Sequence, residues 1–337
     1  MNIGERKPDF NNLLKVLRCE VPDRPVLFEL FLNIPLYIKL SGRRAPDSTE
    51  TEWLKIVVDA FAAAGYDYAT THACNMWFKT SKEHREQTIN LNEDMVITDR
   101  VSFENYDWPD PDAYDYSVLE KIKDHLPENM KLMIMGPGGV LENVILLVGF
   151  DNLCYMLYED PDLVRDIFDA VGSRLVRYYE IASSFDSVGV IMSNDDWGFN
   201  TQTFLSVEDM RKYVFPWHKK IVETAHNAGK PAILHSCGYM SDVMEYIIDD
   251  LKYDGKHSYE DNILSVEKSY ERWGGRIAIL GGIDIDFLVR SSVEEIKDRC
   301  RNMIRISSEK GGYALGSGNS IPEYIPFEKY MAIIESV

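Results

Sequence analysis

Eight short apolar runs alternate with long amphipathic stretches, and this rhythm restricts the possible folds more than any single motif does. The runs lie at 26–28, 66–71, 131–135, 188–192, 232–234, 253–258, 277–280 and 313–315. Each is continuously apolar rather than alternating, as parallel strands covered on both faces are. The stretches between them carry helix signals. Ser206-Val207-Glu208-Asp209 and Ser292-Val293-Glu294-Glu295 read as capping boxes, and Gly229 and Gly311-Gly312 stand where helices should stop. The pattern predicts an α/β fold, a single-domain TIM (β/α)8 barrel over residues 1–337. An open doubly wound sheet is the alternative, but no Gly-x-Gly-x-x-Gly follows an early strand. A long irregular segment, about 75–112, follows the second strand and reads as a functional loop or lid.

Charge narrows the partners. Lys and Arg number 36 against 55 Asp and Glu, a net charge of −19, which repels nucleic acid and anionic membranes. The longest apolar stretch, 140–148, is interrupted by Glu142 and Asn143 and is too short to span a bilayer. Five scattered cysteines do not make a disulfide framework, and the N-terminus lacks the apolar core of a signal peptide. The expectation is a cytoplasmic protein acting on a small molecule, with neither nucleic acid nor membrane as partner.

In a barrel the chemistry gathers at the C-terminal ends of the strands. Those ends read Glu29 and Asn33; His72 and Cys74; Gly136-Pro137-Gly138-Gly139; Asn194-Asp195-Asp196-Trp197; His235 and Cys237; His257 and Glu260; Asp284 and Asp286; Ser317, Asn319 and Ser320. His235-Ser236-Cys237-Gly238 is the sharpest of them. Residues two apart on a strand face one way, so an imidazole and a thiol stand side by side, half of a zinc site. The competing reading is a buried cysteine packing as a small hydrophobe beside a hydrogen-bonded histidine. His257 reads as a third metal ligand or a general base. Asp195 and Asp196 diverge in an extended chain, so one of them is expected at the site, as ligand, as orienter of a histidine or as polariser of substrate, and the other in the loop. Glu260 is a further acid-base candidate. His72-Ala73-Cys74 repeats the His-x-Cys spacing on a strand far around the ring. Trp77, Phe78, Phe103, Tyr106 and Trp108 make the long loop aromatic, either walling a pocket or packing on the rim.

These stretches together resemble the uroporphyrinogen decarboxylase superfamily, most clearly from about residue 186 onward. The matching segments are Phe28-Glu29-Leu30, Gly136-Pro137-Gly138-Gly139, Asn194-Asp195-Asp196-Trp197-Gly198, His235-Ser236-Cys237-Gly238, Gly281-Gly282-Ile283-Asp284, and Gly311-Gly312-Tyr313 running into Gly316-Ser317-Gly318-Asn319. The resemblance implies a TIM barrel and one of two activities. Uroporphyrinogen decarboxylase removes acetate carboxyls from a tetrapyrrole without metal and grips them with an arginine-rich N-terminal segment. Here that region reads Phe28-Glu29-Leu30-Phe31-Leu32-Asn33, without arginine. The other arm comprises zinc methyltransferases working with corrinoid proteins or thiols, whose ligands are His-x-Cys and a distant Cys. His235 and Cys237 match the first two, but Ser317 falls at the third. His257, Glu260 or an aspartate of the 195–196 pair is then left to complete the site. The expectation is a zinc-assisted methyltransferase moving a methyl group between a small O-, N- or S-methyl compound and a corrinoid protein or thiol. A tetrapyrrole carboxy-lyase is the alternative. Metal ligands are expected at His235, Cys237 and His257, and acid-base groups at Asp195, Asp196, His257 and Glu260. Substrate contacts are expected at Glu29, Asn33, Trp77, Trp197, Ser317 and Asn319.

Overall fold

The computed structural model describes residues 6–44, 49–80, 92 and 95–337. Seven of the apolar runs form one parallel sheet in sequential order. The strands are β1 (Tyr68–His72), β2 (Lys131–Met135), β3 (Val188–Asn194), β4 (Ala232–His235), β5 (Gly255–His257), β6 (Ala278–Leu280) and β7 (Tyr313–Ala314). Their continuous hydrophobicity has the expected cause. Leu132, Met133 and Ile134 of β2 are all fully buried, although neighbours on a strand face opposite sides. Each such side chain contributes about 1.5–3 kcal/mol on leaving water.

Helices fill the connections. The helix Pro161–Ser183 has Asp160 as N-cap and Pro161 in its first turn, and it buries Leu163, Ile167, Phe168, Val171 and Leu175 along one stripe. Ser292 and Glu295 form the anticipated capping box of the helix Val293–Ser307. Ser206 caps a shorter segment whose next turn, Met210–Val214, is π-helical. Among the described residues no single helix is long and apolar enough to cross a membrane. The apolar helices Val140–Val148 and Phe150–Glu159 are bent by 92° at their junction.

The first run differs from expectation. Residues 26–28 form a single parallel bridge, Leu27 to Leu315, with Phe28 N donating to Leu315 O at 2.7 Å and Leu315 N to Val26 O at 2.7 Å. The run is three residues long and leads into Glu29, whose peptide groups pair with a side chain. Tyr68 Oη donates to Glu29 O and accepts from Glu29 N, both at 2.7 Å. Both outer strands of the sheet thus reach one segment, and the sheet curls around an interior.

The long segment after β1 also has more order than expected. It contains the helix Arg100–Asn105, capped by Asp99, and a 3-10 turn at Pro111–Ala113; positions 81–91 and 93–94 lie outside the described residues. Phe78, Phe103, Tyr106 and Trp108 of this segment pack together. Trp108 meets Tyr106 at 4.6 Å and Phe103 at 5.5 Å between ring centroids, and Arg174 lies over the Trp108 ring.

Candidate metal centre

Three strands bring the site together. Asn194, His235 and His257 stand in register across β3, β4 and β5, so their side chains share one face of the sheet. The chain leaves β4 and turns at Gly238, whose φ is +89° and whose missing Cβ leaves room for the Gly198 carbonyl. Cys237 is held against the loop after β3: its N–H donates to Asp196 Oδ1 at 2.7 Å. The ligand atoms of Asp196, His235 and Cys237 lie within 4.8 Å of one another.

Hydrogen bonding prepares two of these groups as ligands. Ser258 Oγ and Asn319 Nδ2 both point donors at Cys237 Sγ, each at 3.3 Å, while burial and then the Asp196 charge push the thiol well above the usual cysteine range. Ser258 reaches the sulfur from a left-handed backbone, with φ at +83°. His235 is set by its neighbour. His257 Nε2 lies 3.3 Å from Ser317 O, which only accepts, so that nitrogen carries the hydrogen. Burial, followed by the nearby His235, holds His257 well below the usual histidine range, so its ring is neutral and Nδ1 is an acceptor. His235 Nδ1, 2.8 Å away, must then donate. Burial likewise pulls His235 down to about 4, leaving Nε2 a lone pair, and this atom lies 3.7 Å from Cys237 Sγ.

The adjacent aspartates part company. Asp195 is fully buried and closes a helix terminus: its carboxylate accepts from Leu141 N at 3.0 Å and Glu142 N at 2.9 Å. It also holds Trp197 Nε1 at 2.9 Å and His218 Nε2 at 2.8 Å. Gly139 permits this approach, because a Cβ there would collide with the Asp195 side chain. Trp197, expected at the substrate, is fully buried in this cluster against His218 and Phe215.

Other anticipated contacts are engaged elsewhere. Asn33 caps the helix Ile34–Ser41 through Leu36 N and ties it to the carbonyls of Ile321 and Pro322. Ser317 donates its hydroxyl to Glu29 Oε1 at 2.7 Å and its N–H to Glu29 Oε2 at 3.2 Å. Both residues are fully buried, and burial pushes Glu29 up to about 8 despite those bonds. His257 does not join the converging trio; it lies behind His235. Glu260 accepts from Gly238 N at 3.3 Å, and Glu260 and Asn319 both line an adjoining cavity of about 830 Å³ that also touches Asp284, Asp286 and Tyr324. Trp77 is half-exposed beside His72.

Four residues escaped the sequence reading. Ser258 gave no signal, since nothing in a serine announces a left-handed backbone. Lys256, inside an apolar run, is fully buried with its ammonium on Ser258 O and above the Tyr259 ring, and burial lowers it to about 8. Glu142, near Asp195 and Asp196, is pushed well up by burial and then by the Asp196 charge. Gly139-Val140-Leu141-Glu142 was the available clue, an acid three residues past a helix cap. His218, on a helix, gave none.

Known proteins match this chain in sequence and in fold. A uroporphyrinogen decarboxylase from Anaeromyxobacter sp. (strain Fw109-5) is 25% identical over 191 residues, covering 56% of this chain and 51% of that protein. The corresponding protein of Anaeromyxobacter dehalogenans (strain 2CP-C) is 22% identical over 194 residues, with the same coverage. The chain therefore spans about half the length of the curated relatives it matches. In structure it resembles a methyltransferase from Methanosarcina mazei, with a TM-score of 0.71 over 96% of both chains at 17% identity. The description of uroporphyrinogen decarboxylase (URO-D) fits residues 86–337, three quarters of the sequence, and the chain belongs to that family.

Proposed function

We propose that this chain is a metal-assisted methyltransferase on a closed TIM barrel, with zinc held by Asp196, His235 and Cys237. The donor set fits the ion: nitrogen, sulfur and carboxylate oxygen from three side chains, with a fourth position left for a substrate, are a catalytic zinc pattern. The observation that carries the reading is the hydrogen-bond relay from Ser317 O through His257 to His235, which leaves the Nε2 lone pair of His235 facing the other two donors. Asp196 takes the place that the resembling enzymes give to a second cysteine, and Ser317 is released to hold Glu29.

Zinc in this position supplies Lewis acidity, polarising the heteroatom of a methylated compound or lowering the pKa of an acceptor thiol. The chain's own groups do the rest. His257 fixes the His235 ring, and Ser258 and Asn319 orient the sulfur by donating to it, while a bound cation would offset the burial that favours the thiol. Glu260 and Asn319 present polar atoms to the adjoining cavity, whose size suits a small molecule. A corrinoid protein docked over the strand ends, or a small thiol, serves as the methyl acceptor.

The sequence relatives support a second reading, a carboxy-lyase acting on a tetrapyrrole. Carboxylate-rich substrates call for Arg or Lys partners. Arg290, which lines the adjoining cavity, is already paired to Asp286 at 2.9 Å. Elemental analysis of the purified protein separates the two. The methyltransferase reading expects about one zinc per chain in the wild type and none in Asp196→Ala, together with methyl transfer to free reduced cobalamin from a panel of methyl ethers and methylamines. Metal-free protein that keeps its activity in chelator would refute it in favour of the lyase.

A further inference from the structure

We propose that the half of the strand-end mouth formed by β1, β2 and β3 is a subsite for a hydrogen-bond donor of the substrate, an ammonium, amine or hydroxyl group, received by His72 Nδ1 and Asn194 Oδ1. The proposal rests on the preceding reading only for the identity of the metal alongside.

Both atoms are buried and lack a hydrogen-bond partner among the described residues. Such an atom is costly to leave unpaired, and native proteins keep few of them. Register puts the two on one face. His72 pairs with Met135 and Met135 with Met192; Asn194 lies two residues beyond Met192, hence on the same side. Asn194 itself stands opposite His235, on the neighbouring strand and about 5 Å from it. The orphaned acceptors therefore share the interior face that carries the metal ligands.

Both are acceptors. Burial keeps the His72 ring neutral, and we assign its hydrogen to Nε2, toward the carbonyls of Met135 and Gly136, which leaves Nδ1, the nitrogen without a partner, its lone pair. Trp77 lies edge-on to this ring at 5.1 Å and Phe31 lies tilted to it at 6.1 Å, giving the subsite apolar walls. The strand ends around it, His72-Ala73-Cys74-Asn75, Gly136-Pro137-Gly138-Gly139 and Asn194-Asp195-Asp196-Trp197, contain no Lys or Arg. A substrate carboxylate would meet two lone pairs and no cation here. A donor at either atom satisfies it, and a positive one also gains from Asp196 on the strand-end loop that carries Asn194.

Calorimetric titration with methylammonium and with tetramethylammonium tests this, on the wild type, His72→Phe and Asn194→Leu, with zinc content measured on the same samples. The two cations carry equal charge, but only the first has N–H donors. Methylammonium should bind at least about tenfold more tightly than tetramethylammonium, and each variant should lose at least about tenfold of that binding with zinc unchanged. Equal binding of the two cations, binding of neither, or variants that both bind methylammonium as the wild type does would overturn the proposal. Zinc-free protein that still discriminates the cations would sink the metal reading and leave this one standing.

Discussion

The same spacing, His-x-Cys, ends two strands of this sheet, and the two copies have different fates. At the end of β4, His235 and Cys237 meet Asp196 from the neighbouring β3 loop. At the end of β1, Cys74 is buried, while Ala73 N donates to Tyr178 Oη at 2.6 Å. The pairs themselves are alike. What differs is the adjacent strand: β3 ends in two aspartates, whereas β2 ends in Gly136-Pro137-Gly138-Gly139. A pair at this spacing becomes a candidate centre when the next strand supplies a third donor. Lacking one, it leaves a thiol in the core and an imidazole nitrogen without a partner among the described residues.

The contrast is broken most directly by deleting the two sulfurs in turn. Cys237→Ser is expected to abolish stoichiometric zinc while circular dichroism stays that of the wild type; Cys74→Ser should keep all of it. Zinc retained in the first variant would show that the β4 pair is no ligand set. The paired aspartates sharpen the same point. Asp195→Ala strands two helix-terminal N–H groups, Trp197 and His218, and should lower unfolding free energy by about 3 kcal/mol or more in denaturant titration. Asp196→Ala should lose metal with little change in the denaturation midpoint.

A comparable effect, dependent on pH, belongs to Glu29. Its folded pKa of about 8 exceeds the ordinary 4.5, so the folded state keeps a proton that the unfolded chain releases. Stability from this group is complete below pH 4.5, declines as pH rises, and is gone above pH 8. Glu29→Gln should therefore raise the melting temperature above pH 8, by a stability increment on the order of a few kcal/mol, with the gain vanishing near pH 4.5. A gain equal at both pH values would show that Glu29 does not titrate this way. The smallest expected change is His257→Ala, a weakening of zinc affinity by about 10–100-fold in competition with a chromogenic chelator. Unchanged affinity would remove His257 from the relay.

Much of the architecture was legible because parallel strands and amphipathic helices write their periods into the chain. Seven runs became strands near their expected places. The run at 26–28 was overrated because Glu29 looks like a strand-end group in sequence, while in space its peptide is served by Tyr68. Local spacing made His235 and Cys237 readable as neighbours. Choosing between Asp195 and Asp196 was not possible from sequence, because the choice depends on where the helix Val140–Val148 begins, more than 45 residues earlier in the chain. Position after a strand makes Asn33 and Trp197 look like substrate contacts in the sequence. Capping and burial of polar edges, which sequence does not display, claimed them first.

The seam between residue 29 and β1 has a mechanical consequence. Every other junction in the sheet is sewn by peptide groups, several per strand pair. This one is fastened by the Tyr68 phenol, with the Thr70 hydroxyl 3.5 Å from the same Glu29 carbonyl, so its loosening sacrifices no backbone ladder. The sheet should therefore open on this side first, between Glu29 and Tyr68, beside the proposed subsite at His72 and away from the proposed metal ligands. Substrate entry and a rigid coordination sphere can then coexist in one small mouth.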